Sequence, residues 1–367
     1  MKQLCILLLT VCFLTGCWDN KEMEDRSYII TMGIDKSTED GRYLLTLAPA
    51  QLSSMSSGEE SSNNKAPEKG IVVKGDTIAS AVRQADTYSS RQVYLGQLKT
   101  VVLGKELLQE KEYLQSVLDE LERNQDISGK IILLGTDGTA GECVNAILEE
   151  DASTGLFIWD FYKNTAQDVA VTRKLDLETF LRELRCSKGN SILPKISATE
   201  QGIKIGGGMV VSDYAFIDSL TNKQEEGVLL LQGKGKGAVI DGIWQNNVIP
   251  MWIYKNKSKL HFSEENKKLV CHVKINLEGS AEGSKLEGEN IFTSLEEIEN
   301  IFEIIIKSEI ENTIALAQKK YKKDIFDIAS KLKKQKYQLY QKYGENIENI
   351  DFNVDVSVKI RTIGVVD

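Results

Sequence analysis

The side chains that could do chemistry in this sequence are few, and their spacing does not suit catalysis. There are two histidines, His261 and His272, and His272 directly follows Cys271 on a segment that reads as a strand. Adjacent residues of a strand point to opposite faces, so Cys271 and His272 cannot share one metal ion. No Gly-x-Ser-x-Gly motif accompanies either histidine, and a serine hydrolase is therefore not indicated.

Two glycine-rich segments, 206–208 and 233–237, have some likeness to phosphate-binding loops. The second segment lacks both the Lys-Ser/Thr ending of a P-loop and the G-x-G-x-x-G spacing, and it does not open a helix. Turns or bulges between strands are the favoured interpretation of both segments. The sequence therefore predicts no catalytic residues, no cofactor and no metal site.

The chain has six cysteines, and three of them belong to its N-terminal segment. The other three are Cys143, Cys186 and Cys271. Their odd number and wide spacing do not fit a disulfide framework or a Cys-x-x-Cys metal motif. We expect all three to be small buried apolar residues.

Cys17 is the cysteine with the clearest chemistry. It follows Lys2, an apolar run from Leu4 to Leu14, and the small pair Thr15-Gly16. About eleven apolar residues are too few for a membrane span, which needs roughly 20, so the run is typical of an export signal. The segment Leu-Thr-Gly-Cys resembles the bacterial lipobox, which implies cleavage between Gly16 and Cys17 and N-acyl, S-diacylglycerol modification of Cys17. An uncleaved N-terminal anchor and an ordinary secreted protein remain as alternatives.

Composition favours a globular body and limits its partners. The chain has 367 residues, 27% of them charged, and a formal net charge of −9. This acidic balance predicts that it does not bind nucleic acid. The length suggests two or three domains.

The first half of the chain is predicted to contain a stem and one domain. Residues 1–16 are the lipoprotein signal peptide and residues 17–26 a lipidated stem. Residues 27–188 form an N-terminal α/β domain, in which the Ser- and Glu-rich segment 53–69 is a disordered loop. Strand and helix signals alternate through this domain, with strands near 28–34, 43–47, 71–74, 98–103 and 131–134, and helices near 78–89, 105–123, 140–150 and 177–186.

The second half, residues 192–367, is predicted as a C-terminal α+β region with two subdomains, at about 192–285 and 286–367. Ser294-Leu-Glu-Glu297 has the pattern of a capping box before a helix. A second helix should begin at Asp324 and end near Tyr343-Gly344. In segment 352–361 apolar and polar residues alternate, which predicts a strand with one buried face. The fold class is therefore α+β, multidomain, with mixed β-sheets flanked by helices.

Two further segments could form binding surfaces. Nine lysines against two aspartates make segment 319–342 strongly basic. A solvated helix face is favoured, with contact to anionic lipid or an acidic partner as the alternative. The aromatic stretch Leu156–Tyr162 is favoured as core or inter-domain packing over a ligand or partner surface.

Several segments together resemble a known family. The opening Cys17-Trp-Asp-Asn-Lys-Glu-Met-Glu-Asp25 and the strand Ile29-Ile-Thr-Met-Gly-Ile-Asp35 are similar to the start of the C-subunit family of spore germinant receptors, the Ger(x)C lipoproteins. Further similarity lies at Val93–Gly104, Gly206–Leu231, Ala317–Phe326 and Val354–Gly364.

The resemblance implies a function that composition and spacing do not give. It implies a non-enzymatic C subunit that acts beside integral-membrane A and B subunits in a nutrient germinant receptor and is needed for triggering germination. It also implies lipid anchoring to the outer face of the inner spore membrane. Whether this subunit contacts the germinant is left open. The alternative function is a solute-binding lipoprotein of a transporter.

Overall fold

The computed structural model describes residues 25–50, 70–146, 154–165, 172–283, 294–344 and 346–365. In these ranges the strands form one nine-stranded and one four-stranded sheet. The first sheet contains β1 Arg26–Lys36, β2 Tyr43–Pro49, β3 Ile71–Gly75, β4 Gln92–Tyr94, β5 Thr100–Leu103, β6 Ile132–Gly135, β7 Ser191–Thr199, β8 Gly202–Ser212 and β9 Ala215–Leu220. The second contains β10 Val239–Trp244, β11 Asn247–Glu265, β12 Lys268–Gly283 and β13 Ile350–Val365.

Helices cover these sheets. They are α1 Ile78–Ala85, α2 Lys105–Leu108, α3 Lys111–Arg123, α4 Ala140–Val144, α5 Thr154–Asp160, α6 Leu177–Cys186, α7 Asn222–Gln232, α8 Leu295–Ala315, α9 Ile328–Gln335 and α10 Tyr337–Tyr343. π-Helical turns Phe161–Thr165 and Leu316–Tyr321 extend α5 and α8. Within the described part of the chain, every helix is too short or too polar to cross a bilayer.

The first sheet has the order β3-β2-β1-β5-β6-β7-β8-β9, with β4 beside β1. Its central strands are parallel, as expected where helices connect neighbouring strands. Helices α1, α3 and α6 cover one face of the sheet, and α4 and α5 cover the other. The predicted alternation of strands and helices in the first half is therefore confirmed.

Strands β7–β9 join the first sheet through a single parallel bridge, Gly135 to Lys195. Strands β7 and β8 are buried on both faces along much of their length, because successive residues of β7 point into different cores. Ile192 packs in the core of the second sheet, whereas Leu193 packs in the core of the first. The structure thus differs from the predicted boundary at 188–192, since the first sheet continues to residue 220.

The second sheet has the order β10-β11-β12-β13, and α7 and α8 pack against one face of it. Strand β13 pairs in parallel with β12 along nearly its whole length. The predicted subdomains 192–285 and 286–367 are therefore not separate here, because they share this sheet and one core. The predicted alternation in 352–361 is confirmed, with Val354, Val356, Val358 and Ile360 buried.

The predicted second C-terminal helix is broken in the structure. Asp327 has a φ of +63°, so the first helix, α9, begins only after it, and the non-helical Lys336, with a φ of −142° and a ψ of +69°, separates α9 from α10. Asp324 accepts hydrogen bonds from the backbone N–H groups of Phe326 and Ala329, and therefore organises the turn before α9. Ser294 makes no side-chain capping bond to α8, so the predicted capping box is not formed there.

The segment Gly33-Ile34-Asp35 at the end of β1 positions helix α4. Asp35 accepts hydrogen bonds from the N–H groups of Ala140 and Gly141 at 2.7 and 3.0 Å. These are two of the helix N–H groups that have no partner within the helix. Gly33 lets α4 approach, since a Cβ there would lie 3.0 Å from Val144.

We predict that Asp35→Ala lowers the free energy of unfolding by about 1–2 kcal/mol, because two poorly solvated N–H groups lose their acceptor. Chemical denaturation of the purified protein measures the change. Asp40→Ala, at an exposed position in the β1–β2 turn, should change it by less than about 0.5 kcal/mol. Equal effects of the two substitutions would contradict the proposed capping role.

Candidate functional site

Cys17, the predicted lipidation site, and the cleavage position after Gly16 lie outside the described residues, as does the predicted loop 53–69. The histidines lie on the second sheet, where His261 and His272 are cross-strand neighbours. The Nε2 atom of His272 lies 2.8 Å from Ser263 Oγ and 3.1 Å from Glu265 Oε1. Both contacts use the same ring nitrogen, so the three residues do not form a proton relay of the Ser-His-Asp type.

The cysteines are placed differently from the prediction in one case. Cys143 and Cys271 are buried as expected, and burial raises the pKa of both thiols, that of Cys271 to about 12. The prediction is wrong for Cys186, which is exposed. It is the last residue of α6 and borders a cleft instead of facing a core. Among the described residues, no group of His, Cys, Asp and Glu could hold a metal ion.

The two glycine-rich segments are a bulge and a turn, as predicted. Gly207 in β8 has a φ of +74°, and a Cβ there would lie 2.4 Å from the carbonyl oxygen of Leu220. Gly233, with a φ of +76°, ends helix α7 in the left-handed conformation that favours glycine. Neither segment precedes a helix N-terminus in the manner of a phosphate loop.

The aromatic stretch 156–162 is packing, as favoured from the sequence. Ile158 and Tyr162 are buried in the core between α4, α5 and the first sheet. The ring of Trp159 lies 5.4 Å from the ammonium of Lys99 and 5.1 Å from that of Lys174. These cation–π contacts stabilise the part of this core that reaches the surface.

The basic segment 319–342 does not form one continuous helix face. Its lysines include three that are paired with acids elsewhere in the chain. The pairs are Lys320–Asp218 at 2.5 Å, Lys322–Glu348 at 3.1 Å and Lys342–Glu264 at 2.7 Å. The segment therefore contacts the body of the protein as well as solvent.

A buried polar cluster, which sequence reasoning missed, ties helix α6 to strand β7, the strand that packs in both cores. Arg173 donates to both carboxylate oxygens of Glu183, at 3.1 and 2.7 Å, and through Nε to the carbonyl oxygen of Ile192 at 3.0 Å. Ser191 donates to Glu183 at 2.7 Å. Burial raises the pKa of Glu183, but the charge and hydrogen bonds of Arg173 outweigh it, so the pKa lies below its usual range. We call these residues the polar joint.

Next to the polar joint lies Glu225, on the first turns of α7. It is fully buried, and neither of its carboxylate oxygens has a hydrogen-bond partner among the described residues. Burial raises its pKa to about 7, against the opposing charge of Arg173. Burial and the nearby carboxylate of Glu309 raise the pKa of the neighbouring Glu226 to about 8. Helix α7 thus carries two carboxyl groups that are neutral in mildly acidic solution.

A cleft of about 270 Å³ opens between α6 and the loop that leads into α9. Its lining mixes apolar side chains with charges of both signs. The basic residues are Arg182, Lys331 and Lys334, and the acidic residues are Glu183, Asp324 and Asp327. Burial lowers the pKa of Lys331 despite the two nearby aspartates. Ser191 donates to Glu183 in this cleft, but the carboxylate is already held by Arg173, so the charges suit a polar contact more than catalysis.

Comparison with known proteins decides the family. The family model described as the spore germination protein N-terminal domain matches residues 19–198, and the model described as spore germination B3/GerAC like, C-terminal, matches residues 206–364. The chain belongs to the Ger(x)C spore germination family. The boundary between these two models falls between β7 and β8, inside the strands that both cores share.

Relatives in Bacillus subtilis (strain 168) match along most of their length. Spore germination protein B3 is 25% identical over 98% of this chain and 96% of its own. Spore germination protein KC is 23% identical over 88% of this chain and 84% of its own. The fold matches the crystal structure of the GerBC protein with a TM-score of 0.61 at 19% identity, over 90% of this chain and 96% of that one. The Ger(x)C resemblance and the predicted α+β fold class are confirmed.

We predict that Arg173→Ala lowers the free energy of unfolding by about 3 kcal/mol, because Glu183 is left without its partner in a largely buried position. Arg182→Ala, which removes an exposed guanidinium from the neighbouring cleft, is the matched control and should cost less than about 1 kcal/mol. The double variant Arg173→Met with Glu183→Gln should recover part of the loss. If the double variant recovers none of the loss, the stability lost in Arg173→Ala does not come from the Arg173–Glu183 charge pair.

A second prediction concerns pH. An acid whose pKa is raised in the folded state stabilises the fold fully below its unfolded pKa, near 4.5, and this stability is lost as the pH rises through the folded pKa. The unfolding free energy should therefore fall between about pH 5 and pH 8. Glu225→Gln should remove up to roughly 3 kcal/mol of this dependence, and Glu200→Gln, at an exposed turn, should leave it unchanged. A Glu225→Gln profile parallel to the parent would contradict a raised pKa at Glu225.

Proposed function

We propose that this protein is the lipid-anchored C subunit of a nutrient germinant receptor, needed for triggering spore germination and without catalytic activity of its own. The observation that carries the proposal is the match of two spore germination family models over residues 19–198 and 206–364. The relatives matched over most of their length are themselves named as spore germination proteins.

The proposal assigns Cys17 as the lipidated first residue of the mature chain, after cleavage behind Gly16. The supporting sequence is the short apolar run followed by Leu-Thr-Gly-Cys. Two or more acyl chains hold a protein stably at a bilayer, whereas one does not. The body then lies on the outer side of the inner spore membrane, where the integral-membrane A and B subunits of the receptor would be its partners.

We predict that a strain lacking this gene loses germination on a particular set of nutrients and keeps its response to triggers that bypass nutrient receptors. Complementation with the parent gene should restore the response. Cys17→Ala should fail to restore it, because the body is no longer held at the membrane, and mass spectrometry should find no acylated N-terminus. Cys186→Ala, which removes an exposed cysteine far along the chain from the anchor, is the matched control.

Two outcomes would overturn parts of this proposal. Unchanged germination on every nutrient, in a strain without other receptors of this family, would remove the receptor role. Full activity of an unacylated Cys17→Ala protein would remove the anchor from the mechanism. The alternative, a solute-binding lipoprotein, requires stoichiometric binding of a small solute, and calorimetry with amino acids and sugars separates it from the receptor subunit.

A further inference from the structure

The second sheet leaves one of its faces uncovered by the described helices, and that face is unusually apolar at one end. Its other face packs on α7 and α8 through residues such as Trp244, Ile249 and Met251. We call the uncovered side the outer face. Five large apolar side chains on its first two strands are 39–67% exposed, namely Val239, Ile243, Val248, Trp252 and Tyr254. These five residues are the apolar patch.

The register of β10 and β11 makes the apolar patch one continuous surface. Val239 is paired with Trp252 and Ile243 with Val248, and paired residues of antiparallel strands project to the same side. Asp241 is the one charged residue between Val239 and Tyr254, in a chain that is 27% charged. Exposed apolar patches of this kind mark interaction sites, whereas single exposed residues do not.

Farther along the same face the surface becomes cationic. Lys257, Lys259 and Lys274 are exposed there, and Lys259 lies directly opposite Lys274 in the register of β11 and β12. Like charges in directly opposed positions destabilise a sheet. Asp355 is the register neighbour of Lys274 on the other side and offsets part of this repulsion. We call the three lysines the lysine cluster.

We propose that the outer face docks on the surface of an anionic lipid bilayer. The order of side chains fits the profile of such a surface. Aliphatic residues lie at the hairpin end, Trp252 and Tyr254 follow, and the lysine cluster comes next. Tryptophan and tyrosine favour the membrane–water interface, and each lysine near an anionic surface strengthens binding about fivefold. Asp241 within the apolar patch fits contact at headgroup depth and not insertion into the hydrocarbon.

The docking proposal rests on the proposed lipid anchor for its setting. Only residues 18–25 separate Cys17 from β1, and at no more than about 3.5 Å per residue they reach less than about 30 Å. Such a short tether raises the local concentration of the bilayer around the body, so a weak surface contact becomes populated. The acidic net charge of −9 opposes nonspecific adsorption and favours contact through a cationic face.

The test uses the full lipidated chain reconstituted in vesicles of phosphatidylglycerol and phosphatidylcholine that carry bromine on their acyl chains. Bromine quenches tryptophan at the membrane interface. The parent chain and every variant carry Trp18→Phe, because Trp18 directly follows the lipidated Cys17 and would itself be quenched. We expect quenching in this Trp18→Phe parent that is lost when Trp252→Phe is added and kept when Trp159→Phe is added. The mass of the N-terminal peptide reports acylation separately, so a failed anchor is distinguished from a failed docking surface.

Matched variants test the two parts of the surface. Ile243→Ser with Val248→Ser should abolish the quenching assigned to Trp252, whereas Ile304→Ser, at another isoleucine that is 60% exposed, should not. Replacing the lysine cluster by glutamine should weaken the quenching at least fivefold in anionic vesicles and leave zwitterionic vesicles unaffected. Thermal unfolding of each variant checks that the body remains folded.

Two results would overturn the proposal. Equal quenching of the parent and Trp252→Phe in acylated, vesicle-bound protein means that the outer face does not touch lipid. Absence of lipid quenching, together with a photo-crosslinker at position 243 that captures an integral-membrane protein, means that the apolar patch is a protein interface instead.

Discussion

The burial of β7 and β8 between two hydrophobic cores is the constraint on which the arrangement of the first and second sheets depends. Side chains along a strand alternate between faces, so neighbouring residues such as Ile192 and Leu193 are committed to different cores. A slip of one residue in the register would exchange every side chain between the cores. The polar joint works against such a slip, because Arg173 binds the carbonyl oxygen of Ile192 at that point. The first and second sheets are therefore joined by strands that pack in both cores and not by a linker.

The charges buried near this junction differ in how well they are satisfied. Glu183 has Arg173 and Ser191 as partners, and its burial is compensated by their hydrogen bonds. Glu225 has no such partner among the described residues. The absence of a side chain at Gly208 leaves room beside it, since a Cβ there would lie 2.7 Å from its Oε2. Buried carboxyl groups without partners favour the neutral form. The buried position of helix α7 therefore becomes less stable as the Glu225 carboxyl group ionises.

Much of the fold follows from local sequence signals, and the exceptions have physical causes. Two features could be predicted because strand period and helix capping are local. One is the alternation of apolar and polar residues in 352–361. The other is the start of α6 behind Asp176, which accepts a hydrogen bond from the N–H of Thr179. The late start of α9 behind Asp327 and the break at Lys336 could not be predicted, because neither a left-handed aspartate nor a non-helical lysine is marked in the sequence. The exposure of Cys186 could not be predicted either, because it depends on which side of α6 packs against a core. The partners of Arg173 lie 10–19 residues away in sequence, and only the packing of α6 against β7 brings them together. The lipidation of Cys17 rests on the sequence alone and stays a prediction.

The parallel pairing of β12 with β13 has a consequence for how the chain acquires its structure. Residues 268–283 pair on their second side with residues 350–365, so the sheet is complete only after the whole intervening segment has been synthesised. Contacts of such wide sequence separation slow folding, because a long loop must close before they form. During synthesis, the edge of β12 that later pairs with β13 stays unpaired until β13 has left the ribosome. A chain that stops before residue 350 would present that edge, with its unpaired backbone groups, to any other strand it meets.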